Sequence, residues 1–581
     1  MQNQKNTMRK PNYDKFPAIK AEGEALCGWE AINAAVEEMF REEKTTVVAL
    51  ECYVGVHMED FFANLKPGGV RVVDTRDLMK SAPQVEGMTA RHMTGDVLFG
   101  YVTDLKMEDF IDWEKVAAQR ALLDGKEGKV LVVGSGAALV APEYRKLLYA
   151  DMARWEIQLR FRRREFDGLG VHNRNEATSL QHKRAYFIDW RVCDELKRRR
   201  LDKIDWWIDE NRREEPKMTT AQTVMQALAR AARSPFRVVP FFDPAPWGGQ
   251  WMKEVCDLDR EKENYGWCFD CVPEENSLLL DIGGVLFEMP SVNLIFTHAR
   301  EVLGEPVEAR FGKEFPIRFD FLDTMGGGNL SLQVHPTTQY IRETFGMQYT
   351  QDESYYLLDA GDDAVVYLGL RSGIDPQAML ADLREAQAGG KPFDAEKYVN
   401  KLPAKKHDHY LIPGGTVHCS GGNSMVLEIS STPNIFTFKL WDWQRLGLDG
   451  KPRPINIGHG SRVIDWGRDT EYVHRYLANV FEPVAEGEGW REEKTGLHRN
   501  EFIETRRHWF TAPVEHQTEG SVNVLNLIEG DACVVESPDN AFEPFTVHYA
   551  ETFIIPECVG KYRIRPVGTQ ACGTIKARVR V

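Results

Sequence analysis

A change of hydrophobic rhythm near residue 235 restricts this chain most. Upstream, "TTVVALEC", "VRVVDT", "DVLFGYVT", "KVLVVGSGAALV" and "KLLYAD" are strand-like, and the longer gaps between them can hold helices. Apolar strands alternating with helices predict a parallel α/β sheet. A helical stretch at about 28–43 precedes them, and from about 152 to 234 the pattern turns helical and charged, with "RFRRR" at 160–164 and "KRRR" at 197–200. Downstream, "PFRVVPFFDPAPWGG" opens a region of short strands and Gly/Pro turns, which suits a double-sheet jelly roll or barrel. One charged helical insertion, at about 375–405, interrupts it. The expected organisation is multidomain: an α/β domain at 1–235 with a charged helical appendage at 152–234, a β unit at 236–500 carrying the insertion, and a second β unit at 501–581.

A formal net charge of −16 excludes nucleic acid as the main partner, because a phosphate backbone calls for a clustered basic surface. No apolar run reaches membrane-spanning length, and the opening "MQNQKNTMRKPNYDKF" lacks the apolar core of a signal peptide, so a cytoplasmic protein is expected. Ten cysteines in 581 residues are too sparse for a disulfide framework. Cys268 and Cys271 in "WCFDC" have no second pair at zinc spacing and read as buried thiols.

The chemistry concentrates in three stretches. "NLSLQVHP" (329–336) alternates, so Gln333 and His335 share one strand face with Ser331, while Leu330, Leu332 and Val334 take the other. "TQDESYYLLDA" (350–360) offers Glu353 at a strand start, and "YLIPGGTVHCSGG" (410–422) offers His418 after a Pro-Gly turn. Imidazole, carboxylate and amide together make a mixed N/O set that suits zinc with a position left open for substrate. Such a set also accepts manganese, iron or cobalt, and a His or Gln taken singly on a strand is more often just solvated.

These stretches resemble the type I mannose-6-phosphate isomerases, zinc-dependent cupin sugar isomerases, at "NLSLQVHP". The resemblance continues in "PFFDPAPWGGQWM", "FPIRFDFLDT", "LIPGGTVHCSGGNSMVLEIS", "FTFKLWDWQR" and "GKPRPINI", and "LIEGDACVV" and "ETFIIPECVG" fit a second cupin half. It covers roughly residues 236–581 and implies a double cupin holding one zinc per chain at Gln333, His335, Glu353 and His418. The implied reaction interconverts mannose 6-phosphate and fructose 6-phosphate by moving a proton between C1 and C2 through a cis-enediol.

Three positions depart from the family. Its arginine in the strand after the second histidine is Lys439 here, its lysine two residues before the glutamate ligand is Gln351, and its lysine in the strand before Gln-x-His is Asp320. Lys439 keeps a charge but loses the planar fork. The alternatives are therefore an isomerase of another sugar, phosphorylated or not, or a metal-binding cupin that senses sugar without catalysis. Lys439 is the preferred acid/base or anion-binding candidate; Glu428 and Asp442 are further catalytic candidates, and Arg445 and Arg453 are candidates to hold a phosphate. For Glu428, Asp442, His407 and His409, structural pairing is the competing reading.

Residues 1–235 vaguely resemble a P-loop nucleoside kinase such as uridine kinase, whose lid arginines approach phosphates. Here the first strand leads into "ECYVGVHMEDFF" with no Gly-Lys-Ser/Thr, so a kinase-like fold is expected to be degenerate. "VVGSGAAL" (132–139) reads as a tight βα turn rather than an anion site. The basic runs read as solvated or interdomain surfaces.

Overall fold

The structure, a computed structural model, describes residues 11–42, 46–123, 128–446, 453, 455–496 and 498–581. The first ten residues of the polar start and half of "GKPRPINI" lie outside the described residues.

Seven strands form the amino-terminal sheet, in the order Ala25–Cys27, Lys217–Thr220, Trp206–Asp209, Lys146–Asp151, Val47–Cys52, Lys129–Gly134 and Val70–Asp74. The last five are parallel, four of them in runs that read as strands; Trp206–Asp209 and Lys217–Thr220 correct the expected helical appendage at 152–234, since both belong to the sheet, the latter pairing antiparallel with Ala25–Cys27 at its edge. Val48, Ala49 and Leu50 in the middle strand have no exposed surface, which is why this run is apolar at successive positions rather than alternating. The helix Gly28–Arg41 turns Ile32, Val36, Met39 and Phe40 inward at helical spacing.

"DVLFGYVT" is not a strand. The Asp96 carboxylate accepts from the amides of Leu98 and Phe99, both at 2.7 Å, and bends the chain away from the sheet. Phe99 then docks among Phe345, Phe436 and Phe438 of the β-rich region, at centroid separations of 5.6, 5.8 and 5.2 Å. Apolar residues that imitate a strand here serve a junction between two parts of the chain.

The tight turn at "VVGSGAAL" holds. Gly136 adopts φ +83°, and the Glu51 carboxylate accepts from the Gly136 and Ala138 amides at 2.6 and 2.9 Å, so the helix start carries an internal anion. Burial pushes the Glu51 carboxyl up to about 7 against those bonds. The loop after the middle strand is bound by protein groups: the buried Arg160 donates to the Gly55 carbonyl at 2.8 Å, to the Glu210 carboxylate at 2.7 Å and to its carbonyl at 2.8 Å. Of the other basic-run residues, Lys197 is buried against Asp151 at 2.8 Å and Asn293 at 3.2 Å, and Arg162 grips Asp243 at 2.8 and 2.7 Å. The interdomain reading thus holds for Arg162 and Lys197; Arg160 is core.

The β-rich region contains two pairs of antiparallel sheets. In the first, a six-stranded sheet (His409–Ile412, Glu353–Ala360, Ser424–Ser431, Ile317–Asp323, Trp267–Cys271, Phe241–Asp243) faces a five-stranded one (Val399–Pro403, Val365–Leu370, His418–Ser420, Leu332–Val334, Phe438–Trp441). The helices Pro376–Gln387 and Ala395–Tyr398 form the insertion. The second pair has six and four strands, and Glu482–Gly487 and Trp490–Gly496 join it upstream of 501. Leu525, Leu527, Val535, Phe553, Tyr562 and Ile564 form its separate apolar core. Two seams tie the amino-terminal segment to this region: Ala18–Ala21 runs parallel to Leu279–Ile282, and Phe236 exchanges backbone hydrogen bonds with Ile554 at 3.1 and 2.8 Å. Cys268 and Cys271 are buried free thiols. No helix among the described residues is long and apolar enough to cross a membrane.

Candidate metal centre

Opposing sheets bring the donor residues together. Gln333 lies in register between His418 on one neighbouring strand and Lys439 on the other. His335 follows directly after Leu332–Val334, and Glu353 opens its strand on the facing sheet. His418 begins its strand after a Gly414–Gly415 turn. Gly415 has φ +94°, and a Cβ on Gly414 would meet the Pro336 carbonyl at 2.4 Å, so the turn that delivers this histidine requires glycine twice.

His335 Nε2 lies 2.9 Å from one Glu353 carboxylate oxygen and His418 Nε2 lies 2.8 Å from the other. Each ring's Nδ1 faces a backbone carbonyl, Phe436 O at 3.1 Å and Thr416 O at 2.8 Å. With the Nδ1 protons donated there, both Nε2 atoms and the carboxylate are acceptors within 4.8 Å of one another, a set that could hold a cation. The Gln333 amide meets His418 Nε2 at 3.3 Å, and turning the amide over presents its oxygen to the same edge. The donor set fits zinc: two imidazole nitrogens and a carboxylate, all buried, with an amide alongside. Burial opposes protonation of His335, yet Glu353 lifts its pKa; the two histidines in turn hold the Glu353 carboxyl well below its usual range against burial.

Around this cluster, the Gln351 amide donates to Glu353 at 3.0 Å and to Glu428 at 3.1 Å. Glu428 lies opposite Asp320 in register, and Arg318 reaches both, at 3.7 and 3.4 Å. Burial, and then the neighbouring carboxylates Asp320 and Glu353, push the Glu428 carboxyl well above its usual range. Burial also raises Asp320 to about 6. The Lys439 ammonium has no hydrogen-bond or ion-pair partner among the described residues, and burial lowers its pKa to about 8.

Glu428, Lys439 and Arg453 line a cavity of about 420 Å³ together with Gln333 and Glu353. Asp442 and Arg445 are not in its wall. Asp442 accepts from Ser331 at 2.7 Å and from Arg445 at 2.5 and 3.1 Å, and Arg453 pairs with its other oxygen at 3.0 Å. His409 is buried against Ser354 at 2.9 Å, and His407 pairs with Glu529 at 3.3 Å, both away from the centre. Sequence reasoning missed Arg318, and it missed the opposite wall altogether. Trp155, Gln158 and His182 of the amino-terminal segment face the same cavity. Nothing local in "RWEIQLRFRRR" signals this; the contact exists only once the two parts pack.

Residues 28–233 match a family described as a domain of unknown function (DUF8485). A mannose-6-phosphate isomerase of Streptococcus mutans is 26% identical over 234 residues, which cover 40% of this chain and 68% of that protein. Mannose-6-phosphate isomerase ManA of Bacillus subtilis is 22% identical over 226 residues, 39% of this chain and 66% of the relative. Over about two fifths of its length the chain is homologous to mannose-6-phosphate isomerases. It spans about two thirds of those relatives. Among solved structures, the Bacillus subtilis mannose 6-phosphate isomerase superimposes with a TM-score of 0.49 at 19% identity, covering 60% of this chain and all of that one. A zinc-bound mannose 6-phosphate isomerase gives 0.45 at 13%, again over 60% of this chain.

Proposed function

We propose that the chain is a metal-dependent aldose–ketose isomerase of the mannose-6-phosphate isomerase type, acting in the cytoplasm, with its β-rich region as a double cupin. The observation that carries this reading is the acceptor cluster of His335, Glu353 and His418 at a cavity that also presents Glu428 and Lys439. Zinc held by Gln333, His335, Glu353 and His418 would supply a Lewis acid that orders and polarises the sugar's oxygens. Glu428, whose proton affinity is raised by burial and neighbouring carboxylates, takes the proton from C2 and returns it to C1, so no external oxidant or reductant is needed. Gln351, bonded to Glu353 and Glu428 together, keeps the proton carrier in register with the metal ligand. Lys439 holds the oxygen that gains negative charge in the enediol stage.

The test is turnover of mannose 6-phosphate and of mannose, side by side, on protein whose zinc content is measured in the same preparation. Turnover proportional to zinc supports the reading. A fully loaded protein that converts no hexose or pentose, free or phosphorylated, overturns it and leaves a sugar-sensing cupin.

An unphosphorylated substrate is favoured by one observation: the arginines lining the cavity are already committed to carboxylates, Arg162 to Asp243, Arg318 to Asp320 and Glu428, and Arg453 to Asp442. A buried phosphate dianion needs several uncommitted cations, and Lys439 alone offers one charge among the described residues.

Lys439 gives a pH signature. Because burial lowers its pKa to about 8, the ammonium form is present below that value and lost above it. Turnover, as kcat/KM, is therefore expected to fall as pH rises through about 8, and Lys439→Met is expected to lower it ~100-fold and to remove that alkaline limb. A Lys439→Met enzyme with the wild-type pH profile would assign the limb to another group.

A further inference from the structure

We propose that the amino-terminal α/β segment supplies the outer wall of the substrate cavity, with Trp155 and His182 as its contact residues, and that the ligand this wall selects is an uncharged sugar. The inference rests on reading the cavity as a sugar isomerase site.

The first observation is an aromatic shelf that crosses the junction. Trp155, on the helix Arg154–Arg163, stacks on Phe241 at 4.2 Å and 10°. Phe241 stacks on Phe269 at 4.6 Å and 20°, and Trp267 meets Phe269 edge-on at 6.2 Å. Trp155, Trp267 and Phe269 line the same cavity as Gln333 and Glu353, so the shelf leads from the metal centre out to the amino-terminal helix. An aromatic surface attracts the polarised C–H groups of a pyranose ring. Shelf position is enforced by Arg162, whose guanidinium lies 5.0 Å over the Trp155 ring and is anchored by the two bonds to Asp243.

His182 is the second observation. It lines the cavity, packs edge-on against Trp190 at 5.5 Å, and has no hydrogen-bond partner among the described residues. Burial, reinforced by Arg162 and Arg154, pushes its pKa down to about 4, so the ring is neutral near pH 7. A neutral imidazole offers one N–H donor and one acceptor, the complement of a sugar hydroxyl rather than of an anion. In the same cavity lining Gln158 donates to Glu275 across the junction at 2.8 Å, which leaves the second Glu275 oxygen to accept another hydroxyl. At about 420 Å³ the cavity falls within the range of small-molecule sites. An aromatic shelf, a neutral imidazole, amides and carboxylates, with the arginines neutralised in pairs, make a lining for a polyhydroxylated neutral molecule.

The test uses the full-length zinc-loaded protein and calorimetric titration, with each probe first brought to its isomerisation equilibrium so that the heats report binding, and with mannose, fructose and glucose and the 6-phosphate of each as probes. The tightest probe is expected to be an unphosphorylated sugar, preferred at least tenfold over its 6-phosphate. Trp155→Ala is expected to weaken that probe by tenfold or more with zinc content unchanged, and Trp155→Phe, which keeps a shelf, to recover most of the loss. His182→Ala is expected to weaken it about tenfold. Trp155→Phe and His182→Ala carry the test even where Trp155→Ala does not fold. Wild-type affinity in both Trp155→Ala and His182→Ala, or a 6-phosphate as the tightest probe, overturns the proposal and leaves the isomerase reading standing if turnover persists. A loaded wild-type protein that neither binds nor converts any probe overturns the isomerase reading and this inference with it.

Discussion

His418→Ala protein is expected to retain little zinc and to lose turnover by about three orders of magnitude or more. The imidazole is wholly buried, its Nδ1 is fixed by the Thr416 carbonyl, and its Nε2 sits 2.8 Å from Glu353. No described side chain stands ready to replace it, since His407 and His409 are committed elsewhere. Loss of a supporting hydrogen-bond partner typically costs ~10–100-fold in metal affinity, and loss of a ligand itself costs more. The Lewis acid's contribution to stabilising the developing charge then goes with it, of the order of ~10²–10³ for a single donor of that kind. Metal analysis and turnover on one preparation check the expectation. Full metal and full turnover in His418→Ala would place the chemistry elsewhere in the chain. His335→Ala is expected to behave alike, because the two rings hold opposite oxygens of one carboxylate.

The largest loss of stability is expected from Arg160→Met, about 3–5 kcal/mol, the range for breaking a buried pair by removing one partner. Both side chains of the Arg160–Glu210 pair are fully buried. Methionine fills part of the volume but leaves the Glu210 carboxylate with only the His57 amide, at 3.3 Å, and the Gly55 and Glu210 carbonyls without the Arg160 donor. Burial already pushes the Glu210 carboxyl up to about 7 with Arg160 present, and removing the cation raises it further. A carboxyl whose folded pKa lies above its unfolded value binds more protons folded than unfolded, so stability falls as pH rises through that interval. The deficit is therefore expected to be larger at about pH 8 than at about pH 5, which urea unfolding at the two values measures. A pH-independent deficit would mean that Glu210 does not carry the effect.

The donor set was legible because strand geometry is local. A period of two places Gln333 and the following histidine on one side whatever the rest of the chain does, and a Gly-Gly turn before His418 announces a sharp delivery. Lys439 was legible only through the family resemblance; that it lies in register beside Gln333 is a pairing of strands distant in sequence, which tertiary structure decided. Asp442 and Arg445 looked like site residues by proximity in sequence, but their side chains satisfy each other, a preference that only packing reveals. "DVLFGYVT" failed because apolar content reports burial, not what a residue is buried against.

By itself, the sequence determined the alternation of strands and helices upstream, the short-strand region downstream, and four metal-type donors on strands or strand ends. These follow from periodicities that repeat within a few residues. Tertiary structure alone decided that the arginines of the cavity would be paired with carboxylates, and that a helix of the amino-terminal segment would face the metal centre. Gln158 and Glu275, bonded across that junction, are 117 positions apart. Such a meeting depends on how whole sheets and helices pack, which no local pattern of side chains records.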